Sequence, residues 1–135
     1  MVSVLKKQLE AHGIQPSAQR LAVARYVLST DEHPSADQVY ARVIENFPMI
    51  SRATIYNTLN LFVEKGLLRE LHIAEGRVVF DPRLSRHHHF IDEESGAIKD
   101  VDWSQLEVSN LSSLQDYDIS DYQVILRGKV KPHAD

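Results

Sequence analysis

The spacing of apolar side chains changes period along this chain, and that change limits the folds open to it. As far as Gly66 the apolar residues recur at helical intervals; beyond it they fall in short β-like runs. Val4, Leu5, Leu9 and Ile14 open a short amphipathic pattern that stops at Gly13. Pro16-Ser17 restarts a helix whose apolar face carries Leu21, Ala24, Val27 and Leu28. His33-Pro34-Ser35 breaks the chain again. Ser35 is a cap for a third helix over 36–47, with Asp37 favourable in its first turn. That helix is expected to bury Val39, Tyr40, Val43 and Phe47 before Pro48 ends it. Ser51 caps a fourth helix over 52–65, with Ile55, Leu59, Phe62 and Val63 toward a core and Gly66 as its stop. Residues 67–73 and 77–80 then read as a hairpin turning through Ala74-Glu75-Gly76. Helices followed by such a hairpin are the plan of a winged helix-turn-helix.

From His87 the pattern has period two. His87, His89 and Ile91 would share one strand face, with His88 and Phe90 on the other. Glu93-Glu94-Ser95-Gly96 turns the chain into a second strand over 97–101. Residues 103–114 are expected to be irregular or partly helical, and 122–130 a strand with Val124 and Leu126 on one face. The expected class is α+β: a winged helix-turn-helix domain over 1–81 and a small α/β domain over 82–135.

Charge divides at the same place. The net charge is −4, but residues 1–80 carry +1 and residues 81–135 carry −5. A basic patch for DNA fits the first part and not the second, so the two parts should differ in function. The chain has no cysteine, which excludes disulfides, thiolate zinc, iron–sulfur clusters and thiol catalysis. It has no apolar run near the ~18 residues of a membrane span, and Met1 to Gly13 lacks the apolar segment of a secretory signal. No membrane partner and a cytoplasmic location are expected.

The fourth helix has the parts of a major-groove reader. Ser51 and the helix N-terminus offer donors to a phosphate. Arg52 can reach a phosphate or a guanine edge, Thr54 and Tyr56 can pack on thymine methyls, and Asn57 can pair with adenine. A solvated polar face on an ordinary amphipathic helix is the plain alternative, and the hairpin behind it favours DNA. A second constellation surrounds the histidine run. Two imidazoles at i and i+2 of a strand reach the same side, so His87 and His89 can share an ion. Asp81 can add oxygen from the approaching segment, Asp100 from the partner strand, and His33 from its loop. Such a sulfur-less set suits Fe(II), Mn(II) or Zn(II). The plain alternative is a solvated histidine run between domains.

Ser51-Arg52-Ala53-Thr54-Ile55-Tyr56-Asn57-Thr58-Leu59 closely resembles the recognition-helix motif of the ferric uptake regulator superfamily. So do residues 13–20, from Gly13 to Arg20, and residues 33–40, from His33 to Tyr40, at the spacing of that superfamily. The resemblance implies a homodimeric, metal-dependent transcription factor on a palindromic, AT-rich, double-stranded operator. Residues 82–135 would then be its dimerisation and metal-sensing domain. It implies Tyr56 as the base-contacting residue, with Arg52 and Arg20 near the backbone. Gln15 stands where many members have a basic residue for the minor groove. His33, Asp81, His87, His89 and Asp100 each match a regulatory-site ligand. Asp100, rather than Glu, resembles the peroxide-sensing branch, in which iron(II) and peroxide oxidise ligand histidines; His33 and His87 match those positions.

Other matches are lost. Asp92 and Ser95 stand at the first half of the superfamily's paired Cys-x-x-Cys zinc site, so no structural cysteine zinc is implied. Arg86 and Tyr122 stand at ligand positions of an additional metal site, of which His88 and Glu107 remain. The chain also resembles the iron-response regulator branch, which implies that haem could engage His87–His89, although that branch's Cys-Pro motif is missing. The function expected is a repressor-type regulator of iron homeostasis or peroxide defence, and not an enzyme. The competing readings are a metal-independent winged-helix regulator with structural histidines and a small metallohydrolase. The second lacks a general base outside the ligand set.

Overall fold

The structure is a computed structural model that describes residues 2–132. Its residues divide into two compact units, Met1–Leu84 and Ser85–Asp135.

The first unit holds α1 (Val2–Ala11), α2 (Ala18–Val27), α3 (Ala36–Val43), α4 (Arg52–Glu64), β1 (Arg69–Ala74) and β2 (Arg77–Asp81). Its helices start where serines can cap them. Ser17 Oγ accepts from the Arg20 amide, Ser51 Oγ from the Thr54 amide, and Ser35 makes a reciprocal capping box with Gln38. α4 ends in a Schellman turn. Gly66, at φ +80°, lets the Leu67 amide reach the Phe62 carbonyl at 2.8 Å and its own amide reach Val63. The buried faces of the four helices meet in one apolar cluster that includes Leu9, Val23, Val27, Val39, Ile55, Leu59 and Phe62. β1 and β2 form the antiparallel hairpin, with Phe80 turned into the same cluster. The arrangement is a winged helix-turn-helix, as the spacing predicts.

One expectation about α3 fails. The helix stops at Val43, and Phe47 lies in the following turn with 40% of its surface exposed. Ile50, three residues on, occupies the buried position instead.

The second unit is a three-stranded sheet, ordered β4-β3-β5, of β3 (His87–Asp92), β4 (Ile98–Asp102) and β5 (Ile125–Gly128). β4 pairs antiparallel with β3 and places Asp100 opposite His89; β5 pairs parallel with it and places Ile125 opposite His89. Residues 103–114 form two single 3-10 turns, Trp103–Gln105 and Leu111–Ser113, and no α-helix. Asn110 sits at φ +68°, a left-handed residue that interrupts helical propagation. β5 is less than half as long as the sequence implies, and Leu126 is exposed on it. Among the described residues, no helix is long and apolar enough to cross a membrane.

Candidate metal centre

In the first unit the loop after α2 and the end of β2 are tied together. The Phe80 amide donates to the Pro34 carbonyl at 2.9 Å, and this brings His33 to Asp81. His33 Nε2 lies 3.2 Å from Asp81 Oδ2, with both side chains buried. The other Asp81 oxygen accepts the Arg83 amide at 2.9 Å. His33 holds a left-handed backbone, φ +53°, which an L-residue adopts at a cost of roughly 1–2 kcal/mol.

In the second unit His87 and His89 project from the same face of β3. Their Nε2 atoms lie 3.2 and 3.6 Å from Asp100 Oδ1, and one ligand atom from each of the three residues falls within 4.8 Å of the others. The Asp100 side chain is 24% exposed, whereas both histidine side chains are fully buried. Hydrogen bonds at the other ring nitrogen decide what these imidazoles can do. His87 Nδ1 is 2.7 Å from the Ser85 carbonyl, and His89 Nδ1 is 3.1 Å from Gln123 Oε1. Both partners are acceptors, so each Nδ1 carries a proton. Nε2, beside Asp100, is then the nitrogen that could hold a metal ion. Two imidazoles in this state with a carboxylate are a donor set of the kind that first-row divalent ions prefer.

His88 is built for another purpose. It points to the opposite face, where its Nδ1 accepts the Val124 amide at 3.0 Å. Its ring stacks on Trp103, with centroids 4.4 Å apart and planes at 17°. The Arg86 guanidinium lies 3.9 Å from the Trp103 centroid and 5.2 Å from that of Tyr122, and reaches Asp121 at 3.2 Å. Burial, with smaller contributions from neighbouring histidines and Arg86, pulls the His88 pKa below its ordinary value. His88 is therefore a neutral packing residue. Arg86 and Tyr122 belong to this aromatic stack.

At the turn between β3 and β4, Asp92 and Ser95 bond to each other. Ser95 Oγ donates to Asp92 Oδ2 at 2.8 Å and the Glu94 amide to Asp92 Oδ1 at 3.1 Å. These donors hold the Asp92 carboxyl below the usual carboxylate range.

On α4 the predicted DNA-reading residues lie outside the buried stripe of Ile55, Thr58, Leu59 and Phe62, and several are already engaged. The Ser51 hydroxyl caps the helix and bonds the Thr54 hydroxyl at 2.9 Å, so it is less open to phosphate than the sequence suggests. The Arg52 guanidinium and the Tyr56 hydroxyl both bond Asp37 Oδ1 at 2.5 Å, and Arg52 lies 4.4 Å from the Tyr40 ring centroid. Accepting that bond, Asp37 raises the Tyr56 phenol above its ordinary pKa. Asn57 is exposed. Arg20 is on α2 and donates to the Gln15 carbonyl at 2.7 Å, bracing the turn after α1.

Sequence reasoning missed Gln123, Trp103 and the bonding role of Asp37. Gln123 and Trp103 reach the histidines only through strand pairing. Asp37 had a signal, an acid on the helix before a reader with arginine and tyrosine, but was read only as a helix-dipole residue.

The family model described as "Ferric uptake regulator family" matches residues 11–127. A peroxide-responsive repressor, PerR, of Staphylococcus aureus (strain Mu50 / ATCC 700699) is 36% identical over 129 residues, covering 94% of this chain and 87% of the relative. Among solved structures, a zinc-bound manganese uptake regulator aligns with a TM-score of 0.71 at 22% identity, covering 94% of this chain and 98% of its own. The ferric uptake regulator of Pseudomonas aeruginosa with manganese aligns at 0.70 and 20% identity, covering 96% and 99%.

Proposed function

The chain belongs to the ferric uptake regulator family, and we propose that it is a metal-dependent, DNA-binding repressor of iron-homeostasis or peroxide-defence genes that acts as a homodimer in the cytoplasm. The observation that carries this is the state of the strand histidines. His87 and His89 commit Nδ1 to acceptors and turn Nε2 to Asp100. That is the arrangement of metal-ligating imidazoles with their orienting partners.

In this reading one divalent ion takes His33 and Asp81 from the first unit and His87, His89 and Asp100 from the second. Only residues 82–86 separate Asp81 from His87, a span of roughly 20 Å at full extension, so a shared ion is within the reach of the chain. When bound, the ion supplies charge against the two aspartates and, as iron(II), reactivity toward peroxide. Fully buried imidazoles set around a carboxylate favour a small ion over a haem. Donors drawn from both units restrict residues 82–86 and bias the orientations that α4 samples, a population shift toward the spacing of two half-sites. α4 then reads a palindromic, AT-rich operator, with Tyr56, Thr54 and Asn57 on bases and Arg52, Ser51 and Arg20 toward the backbone. The second unit joins the two copies, and no catalytic turnover is part of this function.

The test is binding to duplexes selected from a random-sequence pool, with and without Mn(II). Wild type should bind with metal and lose affinity as salt rises; His89→Ala should lose the metal response. Equal binding by both proteins in both conditions would overturn the switch. Mass spectrometry before and after Fe(II) plus peroxide separates the two signals: a gain of one oxygen on His33 or His87 selects peroxide, and an unchanged mass selects iron.

A further inference from the structure

We propose that Gln123 is a positioning residue of the metal centre: its side-chain oxygen fixes the tautomer of His89 and so makes Nε2 the ligating atom. The inference rests on His89 being a ligand, as proposed above.

His88 and His89 are neighbours on one strand, yet they receive opposite instructions from two neighbouring residues of another segment. The Val124 amide donates to His88 Nδ1 at 3.0 Å. A nitrogen that accepts carries no proton, so neutral His88 is protonated at Nε2. Gln123 Oε1 lies 3.1 Å from His89 Nδ1. An oxygen that accepts demands the reverse tautomer, with the proton on Nδ1 and Nε2 facing Asp100. The backbone sets up the difference. The His89 amide donates to the Val124 carbonyl at 3.1 Å, in continuation of the parallel pairing that puts Ile125 opposite His89. Residues 123 and 124 are thereby held in register with the histidine run.

His87 makes an equivalent bond, but to the Ser85 backbone carbonyl, which no substitution removes. Of the two ligand imidazoles on β3, only His89 takes its orienting acceptor from a side chain. Position 123 is therefore where a sequence change can tune the affinity of the centre without touching a ligand. Replacing such an orienting partner typically lowers metal affinity ~10–100-fold.

Gln123→Met keeps the length and removes the acceptor, while Gln123→Glu keeps the acceptor. Two measurements on the full chain decide the matter. The first is the 15N-resolved tautomer of His89 in metal-free protein. Wild type and Gln123→Glu should keep the proton on Nδ1, and Gln123→Met should shift it toward Nε2. The second is the Mn(II) dissociation constant, from the EPR signal of unbound Mn(II). It should rise ~10–100-fold in Gln123→Met and return to within a few-fold of wild type in Gln123→Glu. Slow exchange of the His89 amide, which donates to the Val124 carbonyl, checks in both variants that the strands stay paired. An unchanged tautomer in Gln123→Met overturns the proposal, as does a shifted tautomer with unchanged Mn(II) affinity. The underlying reading fails separately, if His89→Ala binds Mn(II) as tightly as wild type.

Discussion

In the first unit the side chains most completely shielded from solvent include Phe62, Leu9, Ile55 and Leu59; in the second they are His87, His88 and His89. The first unit buries a contiguous apolar cluster, and burial of that kind stabilises in proportion to area whatever is bound. The second buries few aliphatic residues, Ile91 and Ile98 among them, and leaves Leu114, Tyr117, Ile119, Leu126 and Val130 exposed. A sheet of three short strands with so small an apolar core is marginal by itself. The imidazoles at its centre are held there by hydrogen bonds with the Ser85 carbonyl, the Val124 amide and Gln123. The difference teaches that the first unit is held by an apolar core of its own, whereas the second places hydrogen-bonded imidazoles where such a core would lie.

The sharpest way to break this contrast is to damage the apolar core. Phe62→Ala should cost about 3–5 kcal/mol, read as a lower denaturant midpoint of the helical circular dichroism signal. With His33 and Asp81 as its proposed ligands in this unit, Mn(II) should restore only part of that midpoint; full restoration would collapse the contrast. A smaller effect is expected from the metal. At a hundredfold excess over its dissociation constant, Mn(II) should stabilise the wild type by about 2.7 kcal/mol. Trp103 is the chain's single tryptophan and stacks on His88, so its fluorescence reports on the second unit. That transition should move with Mn(II), return with chelator, and stay put in His89→Ala. A Trp103 transition indifferent to metal would mean that the histidines are packing residues only.

Ser35→Ala sharpens the comparison from the other side. It removes the capping box of α3 and should cost about 1 kcal/mol, visible in the helical signal, with the Mn(II) response of Trp103 intact. The smallest effect concerns acid. Asp92 has its folded pKa held below the unfolded value by Ser95 and the Glu94 amide. Its contribution is present above pH about 4 and fades as pH falls through the folded value. In Asp92→Asn the acid limb of the Trp103 transition should flatten. An identical acid limb would show that the turn hydrogen bonds do not hold β3 to β4.

The helices were legible because their signals are local. Ser35, Ser51 and Gly66 each act within four residues, and the apolar spacing of α4 needs no knowledge of the rest of the chain. Phe47 was misplaced because nothing local marks the end of α3 at Val43. Within the second unit, His87 and His89 were legible from alternation, and Asp100 from the antiparallel return that follows a short turn. Gln123 was not. It meets His89 across a separation of 34 residues, beside a parallel pairing whose crossover contains no α-helix to announce it. The contact of Asp37 with Arg52 and Tyr56 depends in the same way on how α3 packs against α4.

The left-handed backbone at His33 has a consequence for anyone who would engineer this chain. A search for stabilising substitutions would turn to position 33 early, because glycine relieves the strain there and asparagine tolerates it. Either change should make the loop easier to fold, and either would strip an imidazole from the pair it forms with Asp81. Under the metal role proposed for His33, stability and signal reception would compete at a single residue. A variant evolved only for heat resistance would be expected to lose its response to metal there first.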